Sequence, residues 1–209
     1  MAPSEEAGHI IWTDRVDSTN AELRRHLTGI DNLSTLAARE QTAGRGQGDH
    51  VWYSPAGEGL TFSVLYRYGE DGPDASEALC VTCATTLALR DYLAGKGVKA
   101  RIKWPNDIWV GERKICGILI ENSLEGKRLK ESIVGIGLNL SCTSWPADLP
   151  NPVSLKELTG CNYKPEAELR LLHKEICRRR AMMDSDDGRR SLQEEFGKYM
   201  FRPDEEPRP

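Results

Sequence analysis

Residues 75–93 form a long, mostly apolar run that stops at Gly95 and Gly97. A run of that length predicts one long helix, and a helix with so little polar surface has to be buried on more than one side. The segments around it fit that burial. Leu60 to Tyr66 alternates in β-type residues and predicts a strand, as do Val98 to Trp104 and the β-branched run Ser132 to Leu140. Ile108 to Val110 and Lys114 to Glu121 predict a hairpin around Gly111-Glu112. Strands therefore adjoin strands with one long helix between them. The fold class is α+β, a mixed sheet with packed helices, and not regular βαβ winding.

The chain has 209 residues, of which 39% are hydrophobic, ample for one domain with a short appendage. Lys and Arg total 28 against 32 Asp and Glu, a formal charge of −4. That mild acidity argues against a dedicated nucleic-acid binder, which shows a basic face. No stretch approaches the ~20 apolar residues of a membrane span. The first eight residues carry no basic patch and no apolar stretch of a secretion signal, so a cytoplasmic location is expected. In that setting the six cysteines are not expected to form a disulfide framework. Cys80 and Cys83 make a lone CxxC inside the apolar run. They read as two small residues on a buried helix, because a zinc site needs a second pair or nearby histidines.

The rest of the chain reads as follows. Ile10 to Trp12 and Thr35 to Glu40 predict strands. Asp17-Ser18-Thr19-Asn20 predicts a helix start, with Thr19 and Glu22 as a capping box and an end near Gly29. Asp71 to Asp74 predicts a turn, and Pro146 to Val153 a proline-rich loop. Glu166 to Met183 and Ser191 to Met200 predict helices. Arg202 to Pro209 is proline and charge, a composition expected to be disordered.

Two segments carry chemistry. Thr42-Ala43-Gly44-Arg45-Gly46-Gln47-Gly48 joins two predicted strands. Its glycines let backbone N–H groups approach an anion, and Arg45 offers a guanidinium fork for carboxylate or phosphate. The same composition also suits a surface hairpin loop. It is neither a Walker A loop nor a dinucleotide fingerprint. Trp52 follows, an aromatic able either to stack on a base or to anchor the loop. The second segment, Lys103-Trp104-Pro105-Asn106-Asp107, ends one strand and begins another. Asn106 and Asp107 could serve the turn or face a site, with Asp107 a candidate for aligning Mg²⁺. Lys114 enters an otherwise apolar strand, and Gly117 within that strand suggests close approach of a ligand or another backbone.

Taken together, Ser18-Thr19-Asn20, Gln41 to Gly48, Lys103 to Asp107, Lys114 to Gly117 and Gly135-Ile136-Gly137-Leu138-Asn139 resemble the catalytic domain of biotin–protein ligases. The resemblance runs from about Ile10 to Leu158. It implies a sheet related to the catalytic domain of class II aminoacyl-tRNA synthetases. It also implies the reaction of biotin–[biotin carboxyl carrier protein] ligase: biotin and ATP give biotinyl-5′-AMP, and the biotin then passes to a lysine of the biotin carboxyl carrier protein of a carboxylase. By the same match Lys114 and Arg45 are the catalytic cations. Ser18, Thr19, Asn20, Gln41, Gly44, Arg45, Gly46, Gln47, Lys114 and Gly117 bind biotin. Arg45, Trp52, Asn106, Lys114 and Asn139 bind ATP, and Asp107 holds Mg²⁺. The expected organisation is a flexible N-terminus over 1–9, a catalytic domain over 10–184 and a C-terminal helix and tail over 185–209. The family includes monomers and homodimers. Rival readings are a lipoate or octanoate ligase and a non-catalytic biotin-binding module; the Gly-Arg-Gly loop and Lys-Trp-Pro-Asn-Asp favour biotin over the first, Lys114 and Arg45 favour catalysis over the second.

Three departures from the family stand out. About nine residues precede the first strand, where many members carry a winged-helix domain, so no nucleic-acid partner is expected. Little follows Phe201, where many carry a small SH3-like barrel. Gln47-Gly48-Asp49-His50 stands where the family loop usually continues with basic residues.

Overall fold

A computed structural model gives the fold and describes residues 8–69 and 72–201. Most of the N-terminal segment 1–9, Asp71 of the expected turn and the tail from Arg202 lie outside the described residues. Among the described residues the sheet has seven strands: β1 (Ile10–Val16), β2 (Thr35–Gln41), β3 (Gly59–Arg67), β4 (Arg101–Lys103), β5 (Asp107–Val110), β6 (Arg113–Glu125) and β7 (Arg128–Asn139). Their order is β1-β2-β3-β7-β6-β5-β4. Only β1 and β2 run parallel; every other neighbouring pair is antiparallel. The helices are α1 (Thr19–Arg25), α2 (Leu79–Gly95), α3 (Leu155–Thr159), α4 (Pro165–Ala181) and α5 (Asp186–Tyr199).

Period-2 alternation sorts the two faces of the sheet. Leu60, Phe62, Val64 and Tyr66 of β3, with Val134, Ile136 and Leu138 of β7, enter the main core beneath α2, α4 and α5. The intervening residues Leu65 and Ile133 form a second, smaller cluster with Leu23 of α1 and Leu36 of β2. Beyond that cluster the same face is lined by Ser63, Gly135, Gly137 and Gly117, which are cross-strand neighbours. Small residues there leave a depression where a fuller sheet would be flat.

The long apolar run is helical and buried as its composition requires. Asp74 accepts from Ser76 N at 2.9 Å and starts a 3₁₀ turn over Ala75–Glu77, so the α-helix proper begins at Leu79. Cys80 and Cys83 are fully buried on it. Burial pushes their thiols up to about 11 and about 12, which keeps them protonated. Thr85 and Thr86 are also buried, and their hydroxyls donate to Val81 O and Thr82 O, each at 2.8 Å.

Two local expectations are corrected. The Thr19–Glu22 capping box is not formed. Ser18 is the N-cap, and Thr19 Oγ1 donates instead to Gln41 Oε1 at 3.1 Å, while Glu22 pairs with Arg25 and His26. The strand expected from Val98 begins only at Arg101. Gly97 turns with φ of +76°, and Val98 N still donates to Leu93 O at 3.0 Å, so these residues close the helix end. The proline-rich loop over 146–153 is irregular as expected, and α3 follows it, started by a reciprocal capping box of Ser154 and Glu157.

The C-terminal segment is joined to the main core. Leu192 and Phe196 of α5 are buried in it, and buried Arg179 of α4 bridges Asp91 of α2 and Glu195 of α5. Trp104 packs edge-on against Phe196 at 6.3 Å between ring centroids, and Phe201 N donates to Ile102 O at 2.6 Å. This contact covers the free edge of β4.

Candidate active site

The depression opens into a cleft of about 510 Å³. Its floor is the sheet face around Gly117, Gly135 and Gly137. One wall is the start of α1, a second is the glycine loop, and the third is the turn before β5 together with the segment 145–152.

At the α1 wall the residues are locked to one another. Gln41 Oε1, at the end of β2, accepts from Thr19 N at 2.8 Å and from Thr19 Oγ1 at 3.1 Å. Ser63 Oγ on β3 lies 2.7 Å from Thr19 Oγ1 and 2.6 Å from the acceptor Asn20 Oδ1. Asn20 Nδ2 donates to Glu121 Oε2 at 2.8 Å. A Cβ on Gly135 would sit 2.3 Å from Asn20 Oδ1, so glycine there is what admits the amide. Ser18, Thr19 and Asn20 are all buried, and their polar atoms form a rigid rim.

The glycine loop closes on itself as a small antiparallel turn. Gly46 N donates to His50 O at 2.7 Å and Trp52 N to Gly44 O at 3.0 Å, with Gly48 at the tip at a φ of +64°. Gly44 is buried behind the loop and does not reach the cleft wall; a Cβ there would meet Trp52 O at 2.6 Å. Arg45, Gly46 and Gln47 do line the cleft.

Trp52 lies flat across the floor. A Cβ on Gly137 would stand 2.2 Å from its Cε2, and one on Gly117 2.8 Å from its Cζ3. The close approach that Gly117 signals is thus made by this indole. Its Nε1 is buried with no hydrogen-bond partner.

Lys114 stands at the far end of the floor. A register shift between Ile108 and Trp109 turns it to the same face as Gly117. Its Nζ is 2.7 Å from Asp107 Oδ1 and 5.6 Å from the Trp52 ring centre. Its backbone is clamped by the 145–152 segment: Lys114 N donates to Asn151 O at 2.8 Å, and Val153 N to Lys114 O at 3.0 Å. Asn139 lines the cleft, but its Nδ2 donates to Lys114 O at 3.2 Å and to Val153 O at 3.1 Å, so its amide holds backbone. Asn106 is likewise fixed, Nδ2 donating to Ile118 O and its carbonyl accepting from Ile118 N. Trp104 of the same segment turns away from the cleft toward α5.

The fold gives places to residues that sequence reasoning assigned no site role. Ser63, Gly135 and Gly137 come from cross-strand register, and Glu121 from its place four residues beyond Gly117 on the same face. Trp109 and Trp145 line the lobe beyond Lys114. Lys103 Nζ rests 3.8 Å from the Trp109 ring centre. Among the described residues no group of three or more His, Cys, Asp and Glu is placed to hold a metal ion. No described helix is long and apolar enough to cross a membrane.

A cleft with a paired lysine at one end, an arginine on a glycine loop at the other and an indole face between is built to hold anionic groups beside a flat ring. The profile of the Biotin/lipoate A/B protein ligase family matches residues 12–139, and the chain belongs to that family. It is 36% identical over 179 residues to a biotin–[acetyl-CoA-carboxylase] ligase of Paracoccus denitrificans, across 82% of this chain and 72% of that protein. It is 33% identical over 156 residues to a bifunctional ligase/repressor BirA of Bacillus spizizenii, across 73% of this chain and 47% of that protein. The chain thus spans about half the length of that relative. A biotin protein ligase from Aquifex aeolicus in complex with biotin and ATP superposes with a TM-score of 0.76 at 26% identity, covering 92% of this chain and 78% of that one. The mixed sheet with packed helices is the class II synthetase-like arrangement of these ligases.

Proposed function

We propose that the chain is a biotin–[biotin carboxyl carrier protein] ligase. A biotin carboxylate oxygen attacks the α-phosphorus of ATP, and the bond to the pyrophosphate oxygen breaks. The ε-amine of a lysine on the carrier protein then attacks the acyl carbon of biotinyl-5′-AMP, releasing AMP and a proton. The first step sets two anions against each other, so its barrier falls when cations are already in place and water is excluded. The observation that carries this reading is Lys114, its ammonium held 2.7 Å from Asp107 at the end of a glycine floor beneath Trp52.

In this reading Lys114 bridges the biotin carboxylate and the α-phosphate, and Arg45 supplies the second cation. Ser18, Thr19, Asn20 and Gln41 face the ureido ring, with Gly46, Gln47 and Gly117 around the rest of biotin. Trp52 offers its indole face to adenine, while Asn106 and Asn139 fix the backbone around the nucleotide. No protein nucleophile is needed. Burial pushes the nearby Cys116 thiol upward, away from nucleophilic character. Mg²⁺ is held by one or two carboxylates plus substrate phosphates, and Asp107 is an oxygen donor of that kind in the cleft. Asp107 would hold the ion, which would neutralise phosphate charge.

Incubation with ATP, biotin and a carrier domain tests the reading. Biotin on the carrier lysine together with pyrophosphate release supports it; lipoate or octanoate transfer, or biotin binding without turnover, contradicts it.

A further inference from the structure

Arg45 has to serve as a fixed cation, yet it sits on the least constrained part of the cleft. Glycines flank it, and its side chain is 50% exposed. A long side chain on such a loop loses rotamer freedom when a ligand fixes it. Glu121 meets this need from the sheet. Its Oε1 is 3.3 Å from Arg45 Nη2. Its other oxygen accepts from Asn20 Nδ2 at 2.8 Å and lies 3.3 Å from Arg24 Nη2. Asn20 is itself held by Ser63 and by Leu119 O. A chain of polar contacts therefore runs from the buried face of β3 through α1 to β6 and out to the loop.

We propose that Glu121 is a positioning residue for Arg45. It takes one edge of the guanidinium and leaves the other edge for an anionic group in the cleft, so that Arg45 is oriented before the ligand arrives. The proposal deepens the ligase reading and rests on it. Glu121 touches no reacting atom; it acts through Arg45. The arrangement also explains why an acidic side chain belongs at the rim of a site for anions. It is neutralised by Arg24 and Arg45 and hydrogen-bonded by Asn20, so it presents no uncompensated charge to the ligand.

Glu121→Gln tests this in the 209-residue chain, because the amide oxygen can still accept from Asn20 while the charge facing Arg45 is gone. Two readouts are needed. The first is calorimetric affinity for the non-hydrolysable analogue biotinol-5′-AMP, in wild type, Glu121→Gln, Arg45→Ala and the double variant. Glu121→Gln is expected to weaken binding about two- to fivefold, a range set by the half-exposed guanidinium. The double variant is expected to bind no more weakly than Arg45→Ala alone. The second readout is amide hydrogen exchange of residues 44–50 without ligand, expected to quicken in Glu121→Gln at an unchanged urea midpoint. Additive losses in the double variant, a fall in the urea midpoint that accounts for the loss, or unchanged loop exchange would overturn the proposal. If the wild type itself failed to bind the analogue, the ligase reading would fall. The ligand-free exchange result would still decide the Glu121–Arg45 link.

Discussion

Lys114 Nζ and Asp107 Oδ1 face each other across the β5–β6 hairpin at 2.7 Å, both partly exposed to the cleft. Gly111, at a φ of +56°, makes the tight turn that brings the two strands into this register. The pair fixes a cation that would otherwise sweep the cleft. Asp107→Asn is therefore expected to lower the rate of adenylate formation about tenfold or more and to raise the Mg²⁺ concentration needed for half-maximal rate, with little change in fold. Magnesium titrations of pyrophosphate release on both proteins check this; an unchanged titration would separate Asp107 from the ion.

The seat of Trp52 gives a second expectation. A methyl group on Gly137 would overlap the indole, and the ring has to lift from the floor. Overpacking of this kind costs about 1–3 kcal/mol, or roughly 5- to 140-fold in an equilibrium constant. Gly137→Ala should weaken ATP binding within that range and shift the tryptophan emission. Wild-type ATP affinity in this variant would mean that Trp52 does not form the adenine platform.

Asn139 ties the Lys114 strand to the segment that crosses it. Asn139→Ala leaves Val153 O without the amide that now satisfies it and takes from Lys114 O one of its two donors, Val153 N remaining. The expected loss is about 1–3 kcal/mol of stability, read as a lower urea midpoint, accompanied by a lower turnover rate as Lys114 loses its fixed backbone. A variant with a wild-type midpoint would contradict the clamp.

Acid sensitivity should arise at two ion pairs, one between α4 and α5 and one beside the α1 wall of the cleft. The Arg179 guanidinium holds the Glu195 carboxyl below its ordinary value of 4.5, and Arg25 with Ser18 N holds exposed Asp17 down at about 2. Both groups are more acidic folded than unfolded. Their contribution is present above the unfolded values and is lost as pH falls through the folded ones. Urea midpoints should fall with pH below about 4.5, and Glu195→Gln should flatten part of that fall. An equally steep fall in the variant would remove Glu195 from the account.

How much of this the sequence carries differs element by element. Leu60 to Tyr66 and the 75–93 run were legible because alternation and apolar length are local. The Gly111-Glu112 hairpin was legible because its turn chemistry is local too. Thr19 looked like a cap because Glu22 stands three residues on, but Gln41, 22 residues away, competes for the same hydroxyl. The signal for α3 was present in Ser154 and Glu157, and the prolines before it masked it. In the cleft, Arg45, Lys114 and Asp107 were visible as charges in glycine-rich or apolar settings. Ser63 and Glu121 were not, and Gly137 stood in a quoted motif without a role, because only strand register places them opposite Asn20, Arg45 and Trp52.

Lys114 remains the centre of the account. The most direct measurement is biotin-dependent pyrophosphate release by Lys114→Ala beside its circular dichroism spectrum. Loss of one preorganised transition-state donor commonly costs roughly 10²–10³-fold. A folded variant slowed by that factor is the predicted result. A folded variant with near wild-type release would contradict the assignment of Lys114 and, with it, the mechanism.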